Sequence, residues 1–191
     1  DSPPWLSLSR CFYYCAPSVA VVWLMAPSNI IQGVYAKYFG IPLTTIAAVL
    51  ILARVFDSIT DPLVGFYSDR YHRRVGNRKP FIIIGCVLFV ISSYFLFVPF
   101  GFDTVSITAG ERPEHMSVSV VYFAGWFMLY YLANTLYEVP HISWASDLAG
   151  SALEKSKIYT LRSAAGYLGL ILFYSVPFLP IFSSTDITPQ T

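Results

Sequence analysis

Five charged residues lie within stretches of this 191-residue sequence that are otherwise long and apolar. They are Arg54, Asp57, Asp61, Glu138 and Arg162. A charged side chain near the centre of a lipid bilayer costs from about 2.5 to more than 10 kcal/mol, so it needs a partner, a cavity or an ion. This pattern favours a functional site inside a membrane. The alternative is a buried network in which the two arginines only neutralise the three acids.

The first three of these residues share one face of a helix. Arg54, Asp57 and Asp61 stand at positions i, i+3 and i+7, which places them along a single stripe that Gly65 and Ser68 continue. A helix that begins near residue 41 carries this stripe into its second half, because each residue advances the helix by about 1.5 Å. The spacing therefore predicts that these side chains face the same neighbour.

The residues around Asp61 offer oxygen ligands of one chemical type. Pro62 has no N–H, so the carbonyl oxygen of Ser58 loses its helical donor. The carboxylates of Asp57 and Asp61, the hydroxyls of Ser58 and Thr60 and this carbonyl are hard ligands. They suit Na⁺ or a proton better than a transition metal. We therefore expect a coupling ion, Na⁺ or H⁺, and no metal or organic cofactor.

The composition requires membrane helices to position these charges. Hydrophobic residues make up 55% of the chain and charged residues only 12%, which excludes an ordinary soluble globular domain. The formal net charge of +1 gives no basic footprint for nucleic acid. Stretches of roughly 20 apolar residues can cross a bilayer. Five spans are predicted, with bends at Pro17 and Pro27 in the first, and they cover residues 11–36, 41–68, 81–102, 116–145 and 157–182.

The distribution of Lys and Arg predicts how these spans are oriented. Eight basic residues fall on one side of the predicted spans and two on the other. The first group comprises Arg10, Arg70, Arg73, Arg74, Arg78, Lys79, Lys155 and Lys157, and the second Lys37 and Arg112. Loops rich in these residues stay in the cytoplasm. We expect a multi-pass protein of the plasma membrane whose N-terminus and loops 70–79 and 147–156 are cytoplasmic, with loop 101–114 outside.

Catalytic chemistry has little support in the sequence. Hydrolysis needs a nucleophile beside a base, or a metal cluster, but His72, His115 and His141 fall at different loops and span ends. The sequence therefore predicts that the protein is not an enzyme. A non-transporting membrane scaffold remains an alternative, although a scaffold would not need carboxylates in the membrane.

Several segments resemble one family of transporters. Residues 65–80 read GFYSDRYHRRVGNRKP, which resembles the loop signature of the major facilitator superfamily. They follow RVFDSITDPLVG at 54–65, and this longer segment is similar to the glycoside-pentoside-hexuronide:cation symporter family. The segments YEVPHISWASDL at 137–148 and YTLR at 159–162 resemble that family's fourth span and the start of its fifth.

The resemblance implies roles for particular residues. Asp57 and Asp61 would hold the coupling cation with help from Thr135, and Glu138 and Arg162 match positions that contact sugar hydroxyls. Together with the residues chosen from spacing, the predicted cation-binding set is Asp57, Asp61, Thr60 and Thr135. The predicted substrate-binding set is Glu138, Arg162 and Arg54. Thr135 and Glu138 stand at i and i+3, so helix geometry allows both to face one cavity.

A cytoplasmic gate is also implied. Its predicted residues, by resemblance, are Gly65, Asp69, Arg70 and Arg74. The sequence departs from the family at two places, because residues 11–36 contain no carboxylate to match the family's first-span acid and Asn77 stands where an arginine is usual. The first departure keeps open a lysolipid or another non-sugar solute.

The family's fold sets the expected architecture. The resemblance implies twelve spans in two six-helix halves, with the substrate between the halves. We therefore expect an all-α integral membrane protein whose five transmembrane helices belong to a truncated N-terminal six-helix half. The expected function is cation-coupled symport of a sugar or sugar-like solute. The expected partners are that solute, a monovalent cation, the lipid bilayer and the missing C-terminal half, with no nucleic acid.

Overall fold

The computed structural model describes residues 8–99 and 118–178, and all the regular secondary structure within these ranges is helical. Its helices are α1 (Leu8–Met25), α2 (Ser28–Tyr38), α3 (Leu43–Val75), α4 (Lys79–Phe97), α5 (Val120–Leu148) and α6 (Ala152–Ser175), followed by a 3₁₀ turn at Val176–Phe178. The contacts divide the described residues into two units, one containing α1 and α6 and the other containing α2 to α5. The predicted all-α class is confirmed.

The first predicted span is interrupted at its second proline. Helix α1 ends at Met25 and α2 begins at Ser28, so the bend expected at Pro27 is a break between two helices. Pro27 has no N–H with which to continue the ladder, and the last bond before it runs from the N–H of Ala26 to the carbonyl of Val22. Pro17 lies inside α1, which continues through it.

Helix α3 is longer than the span predicted for it. It contains 33 residues, or about 50 Å of helix, and continues through Pro62 to Val75. Gly76 ends it with φ 72° while its N–H bonds to the carbonyl of His72 at 2.7 Å. Only glycine adopts this left-handed backbone at little cost. The prediction of a loop at 70–79 was therefore wrong, because residues 70–75 are helical and only 76–78 connect α3 to α4.

Helices α4 and α5 form an antiparallel pair at close range. A Cβ added to Gly85 would lie 2.6 Å from the backbone nitrogen of Tyr137, so the two backbones approach more closely than any larger residue permits. Further along, Phe89 contacts Tyr130 and Phe95 stacks on Trp126, with ring centroids 4.8 and 4.5 Å apart. Residue numbers rise on α4 as they fall on α5, which shows that the two helices run in opposite directions.

Helix α2 packs at the far end of this pair through one buried ring. The Tyr35 hydroxyl donates to the carbonyl of Leu96 at 2.9 Å, and the Tyr35 ring lies 4.5 Å from that of Phe123. Tyr35 is fully buried. A single side chain therefore connects α2 to both α4 and α5, and a buried hydroxyl finds its acceptor at the helix end.

Helices α3 and α5 run in the same direction. Arg54 lies over the ring of Tyr131, Asp61 bonds to Thr135, and the position of a Cβ on Gly65 would lie 3.6 Å from Val139. Numbers rise together on both helices in these pairs. The predicted stripe on α3 therefore faces α5, and the two helices run parallel.

The other unit pairs α1 with α6. A Cβ on Gly169 would lie 3.2 Å from the carbonyl oxygen of Val19, and Trp23 meets Phe173 edge to face. Small residues such as Gly169 permit this close approach of two helices. Helix α6 begins with a side-chain cap, in which Ser151 accepts from the N–H of Glu154.

The helices have the lengths and compositions of membrane spans. Three described stretches are long and apolar enough to cross a bilayer, and they are Ser9–Tyr38, Leu43–Val75 and Lys79–Phe97. Helices α5 and α6, with 29 and 24 residues, exceed the roughly 20 residues that a crossing needs, and their crossing remains a prediction. The predicted outside loop and span residues 100–102, 116–117 and 179–182 lie outside the described residues.

Candidate functional site

A hydrogen bond between two helices lies at the centre of the candidate site. The Thr135 hydroxyl on α5 donates to Oδ1 of Asp61 on α3 at 2.9 Å. Thr135 is buried, whereas Asp61 is exposed. A hydroxyl that donates to a carboxylate stabilises its charged form. Two of the predicted cation-binding residues are thus brought together, although they stand 74 positions apart in the sequence.

Asp57 lies one helical turn before Asp61 and is better shielded. Its side chain is 16% exposed, and its Oδ2 lies 3.8 Å from a guanidinium nitrogen of Arg54. Within residues 8–99 and 118–178, its buried Oδ1 has no hydrogen-bond partner. A carboxylate oxygen in this state is costly unless a proton or a cation reaches it.

Arg54 and Thr60 occupy the edge of this arrangement. The Arg54 guanidinium lies 5.3 Å from the centroid of the Tyr131 ring and its side chain is 73% exposed. Because Arg54 is exposed to solvent, its ion pair with Asp57 and its cation–π contact with Tyr131 are weak. The Thr60 hydroxyl donates to the backbone carbonyl of Asp57 at 3.4 Å, so Thr60 is close to Asp57 without donating to its carboxylate.

We call the group formed by Arg54, Asp57, Asp61, Tyr131 and Thr135 the carboxylate cluster. It contains two acids and one partly solvated cation, so with both acids ionised it carries a surplus negative charge. Its ligand atoms are carboxylate and hydroxyl oxygens, which suit a small hard cation or a proton. The binding of a cation by these residues stays a prediction.

The predicted substrate-binding residues are placed on two different units. Glu138 is half-buried on α5, one turn beyond Thr135, which agrees with the predicted i, i+3 spacing. Arg162 is half-buried on α6, which belongs to the unit formed with α1. Their binding of a substrate stays a prediction.

A second group of charges lies where α3, α4 and α5 end or begin. Arg78, in the connection after α3, donates from Nε to Oδ2 of Asp147 at 2.9 Å and from a terminal nitrogen to the Ser68 hydroxyl at 3.2 Å. The same terminal nitrogen pairs with Asp69. The Nε2 atom of His72 lies 3.6 Å from Oδ2 of Asp147. We call these five residues the end cluster.

Electrostatics explains why Arg78 can be buried there. It is only 9% exposed. Burial by itself lowers the pKa of Arg78, but the hydrogen bonds to Asp69 and Asp147 outweigh burial and raise that pKa above its ordinary value. Arg78 therefore stays charged across the neutral range and connects α3 to the last turn of α5.

The predicted gate residues separate in the structure. Asp69 belongs to the end cluster, and Gly65 faces Val139 on α5. Arg70 and Arg74 are exposed, and within the described parts of the chain neither forms an ion pair. Neither residue spacing nor the family resemblance indicated Arg78 as the partner of Asp69. The signal that could have found it is its place two residues after the helix-ending Gly76, where the chain turns back towards Asp69.

Comparison with known proteins identifies the class. The family described as MFS/sugar transport protein matches residues 12–190. The chain is 27% identical over 148 residues to sucrose transport protein SUT5 of Oryza sativa subsp. indica, a match that covers 73% of this chain and 27% of that protein.

Two bacterial relatives are named as symporters. The inner membrane symporter YicJ of Escherichia coli is 25% identical over 143 residues, covering 72% of this chain and 28% of its own length. The uncharacterized symporter YjmB of Bacillus subtilis is 24% identical over 157 residues, covering 78% and 31%. The chain thus spans about a third or less of the curated relatives described here. No solved structure matches it.

These findings define a multi-pass integral membrane protein of the major facilitator type. The chain belongs to the MFS/sugar transport protein family, which confirms its resemblance to the N-terminal part of the glycoside-pentoside-hexuronide:cation symporters.

Proposed function

We propose that the whole protein is a secondary transporter that couples the movement of a monovalent cation to that of a sugar or sugar-like solute. The observation that carries the proposal is the hydrogen bond between Thr135 and Asp61, because it joins a membrane carboxylate on α3 to a hydroxyl on α5. A ligand held by two helices changes affinity when those helices move, which is the physical requirement for coupling.

The cation would lie between Asp57 and Asp61. Oδ1 of Asp57, which is buried and has no hydrogen-bond partner within the described ranges, is the ligand atom that gains most from it. Glu138 stands one turn beyond Thr135 on the same helix, so a solute that bonds Glu138 would lie next to the ion. Each ligand would then raise the affinity of the other.

The solute class rests on the relatives. One group of them is named for sucrose transport and others are named as symporters. We propose that the solute is a sugar or glycoside and that Glu138 and Arg162 hold its hydroxyls. We further propose that the full protein has twelve spans, that the present chain supplies the first five and that it lies in the plasma membrane with a cytoplasmic N-terminus.

Calorimetric titration of Na⁺ into the detergent-purified full-length protein tests the cation site. Wild-type protein should show saturable binding of Na⁺. If it does not bind Na⁺, it should take up protons instead. The Asp61→Asn variant should lose this binding. Asp69→Asn is the matched control because it removes an acid from the same helix two turns away, in the end cluster, and it should keep binding.

A panel of sugars, measured with and without the bound ion, then tests coupling. We expect tighter sugar binding when the ion is present. A sugar affinity that changes with neither the Na⁺ concentration nor the pH would overturn the proposal. A protein that binds lysolipids and no sugar would contradict the proposed solute class while leaving the cation site standing.

A further inference from the structure

The segment 69–79, which covers the end of α3, the connection and the first residue of α4, carries more positive charge than its ion pairs use. Five basic residues lie between positions 69 and 79, and the only acids in the end cluster are Asp69 and Asp147. Four of the basic side chains are exposed and, within the described ranges, form no ion pair; they are Arg70, Arg73, Arg74 and Lys79. We call these four residues the basic rim.

A cavity of about 480 Å³ opens beside this rim. Its walls include His72, Asn77, Arg78, Lys79, Trp144 and Asp147. Ile82 and the ring of Trp144 supply its apolar part, and the other side chains named here supply its polar part. The cavity has one polar and one apolar side and lies at the ends of membrane helices. Such a combination is typical of sites at the membrane–water interface.

The acid in the cavity does not cancel its positive charge. Asp147 accepts a hydrogen bond from Arg78 at 2.9 Å, and His72 lies 3.6 Å from the same oxygen. Asp69 is paired with Arg78 as well. The charge of Arg78 is therefore used within the end cluster, and that of Lys79 remains for a ligand from outside.

The polar groups around Lys79 suit a phosphate. The side-chain oxygen of Asn77 accepts from the Lys79 backbone N–H at 2.9 Å, so its amide NH₂ is left to donate. An ammonium beside an amide donor binds phosphate oxygens through charge-assisted hydrogen bonds. The positive-inside rule predicts that this end faces the cytoplasm, whose membrane leaflet carries anionic lipids.

We propose that this cavity binds the headgroup phosphate of an anionic phospholipid, with Lys79 and Asn77 on the phosphate and Trp144 beside the start of the acyl chains. The basic rim draws the lipid to the site. The inference goes beyond the proposed transport function, because it concerns a regulatory or structural lipid and needs neither the cation nor the solute to be bound.

Quenching of tryptophan fluorescence by brominated lipids tests the site. The full-length protein is placed in nanodiscs of phosphatidylcholine that contain either brominated phosphatidylglycerol or brominated phosphatidylcholine. The component that disappears in Trp144→Phe reports on the cavity. That component should be quenched preferentially by the anionic lipid.

Variants at two lysines separate a specific site from general attraction. Lys79→Gln should lower the preference for phosphatidylglycerol about fivefold, the effect expected of one cation near an anionic surface. Lys79→Arg should retain the preference. Lys37→Gln is the matched control because Lys37 is an exposed lysine at the end of α2, and it should change nothing.

Three results would overturn the proposal. The first is equal quenching of the Trp144 component by both lipids in the wild type. The second is a loss of preference in Lys37→Gln as large as that in Lys79→Gln. The third is removal of the preference by inorganic phosphate at constant ionic strength, since that would assign the cavity to free phosphate instead of a lipid.

Discussion

Two groups of charges connect α3 to α5, and they differ in how completely they are satisfied. In the end cluster, one buried arginine bonds two carboxylates and a serine. In the carboxylate cluster, Asp57 pairs with an arginine whose side chain is 73% exposed, and Oδ1 of Asp57 has no hydrogen-bond partner among the residues that the structure describes. The first group is saturated in charge by the protein itself, although Nδ1 of His72 has no hydrogen-bond partner among the described residues, whereas the second group leaves a carboxylate oxygen without a partner.

This difference indicates what each group contributes. A saturated cluster stabilises one arrangement of helices, because breaking it leaves buried charge without a partner. An unsaturated cluster contributes little stability but offers ligand atoms, and a bound ion can then favour one arrangement over another. We therefore expect changes in the end cluster to act on stability and changes in the carboxylate cluster to act on ion binding.

The largest expected effect comes from Gly85→Ala, which should disturb both clusters by displacing α5. The added Cβ would lie 2.6 and 2.8 Å from backbone atoms of α5, so α4 and α5 must separate. The free energy of unfolding should fall by about 3 kcal/mol, seen as a lower midpoint of thermal unfolding in detergent.

Gly125→Ala is the control for that change. It also places an alanine in a membrane helix, but no atom lies within 4 Å of the new Cβ. Equal midpoints for the two variants would show that the close approach of α4 and α5 is not needed.

Replacement of Arg78 should break the end cluster alone. Arg78→Ala leaves both Asp69 and Asp147 without the cation that each of them pairs with. Because both acids are partly exposed, we expect the free energy of unfolding to fall by about 2 kcal/mol, less than for a fully buried pair.

The loss in Arg78→Ala should be the same throughout the neutral pH range. The pKa of Arg78 is higher in the folded protein than in the unfolded chain. The resulting contribution to the free energy of unfolding is complete at pH values below the unfolded-state pKa, and it is lost only as pH rises through the folded-state pKa. For Arg78 that window lies far above neutrality. Thermal unfolding at several pH values checks this, and Arg74→Ala, which removes an exposed arginine, should leave the midpoint unchanged. A similar loss in both variants would contradict a special role for Arg78.

Thr135→Val should weaken ion binding with little effect on folding. It removes the hydroxyl that donates to Asp61 and keeps nearly the same shape. A hydrogen bond to a charged group is worth about 1.5–3 kcal/mol when buried, so with Asp61 exposed we expect about a tenfold loss of Na⁺ affinity by calorimetry. Thr135→Ser retains the hydroxyl and should bind as the wild type does; if it loses affinity equally, the hydroxyl is not responsible.

The smallest expected effect is that of Asp57→Asn on stability. Removing a carboxylate whose Oδ1 lacks a hydrogen-bond partner in the described residues relieves a desolvation cost, so the unfolding midpoint should stay level or rise slightly. Ion binding should nevertheless be lost. A marked fall in the midpoint would mean that Asp57 is structural, as Arg78 is, and would remove the distinction between the two clusters.

Much of the carboxylate cluster could be predicted because its signals are local. The i, i+3, i+7 spacing placed Arg54, Asp57 and Asp61 on one stripe, and the cost of charge in a membrane marked that stripe as functional. Thr135 was found through the family resemblance. The hydrogen bond between Thr135 and Asp61 could not be predicted from residue spacing, since the distance between two helices depends on how the side chains between them pack.

The end cluster was largely missed for the opposite reason. Arg70, Arg73, Arg74 and Arg78 are alike in sequence, and all agree with the positive-inside rule. Only the left-handed turn at Gly76 brings Arg78 back to Asp69 and leaves Arg70 and Arg74 exposed. The same turn at Gly76 sets the end of α3 at Val75, which the sequence had not predicted.

By itself, the sequence determined that the chain is helical, that it lies in a membrane and that acids on one stripe would need a partner. Those properties follow from composition, helical period and the cost of buried charge, which act within a single helix. The tertiary structure decided which helix the stripe faces, which arginine holds Asp69 and where Gly85 lets two backbones meet. These depend on distances between helices, which arise from packing residues far apart in the chain.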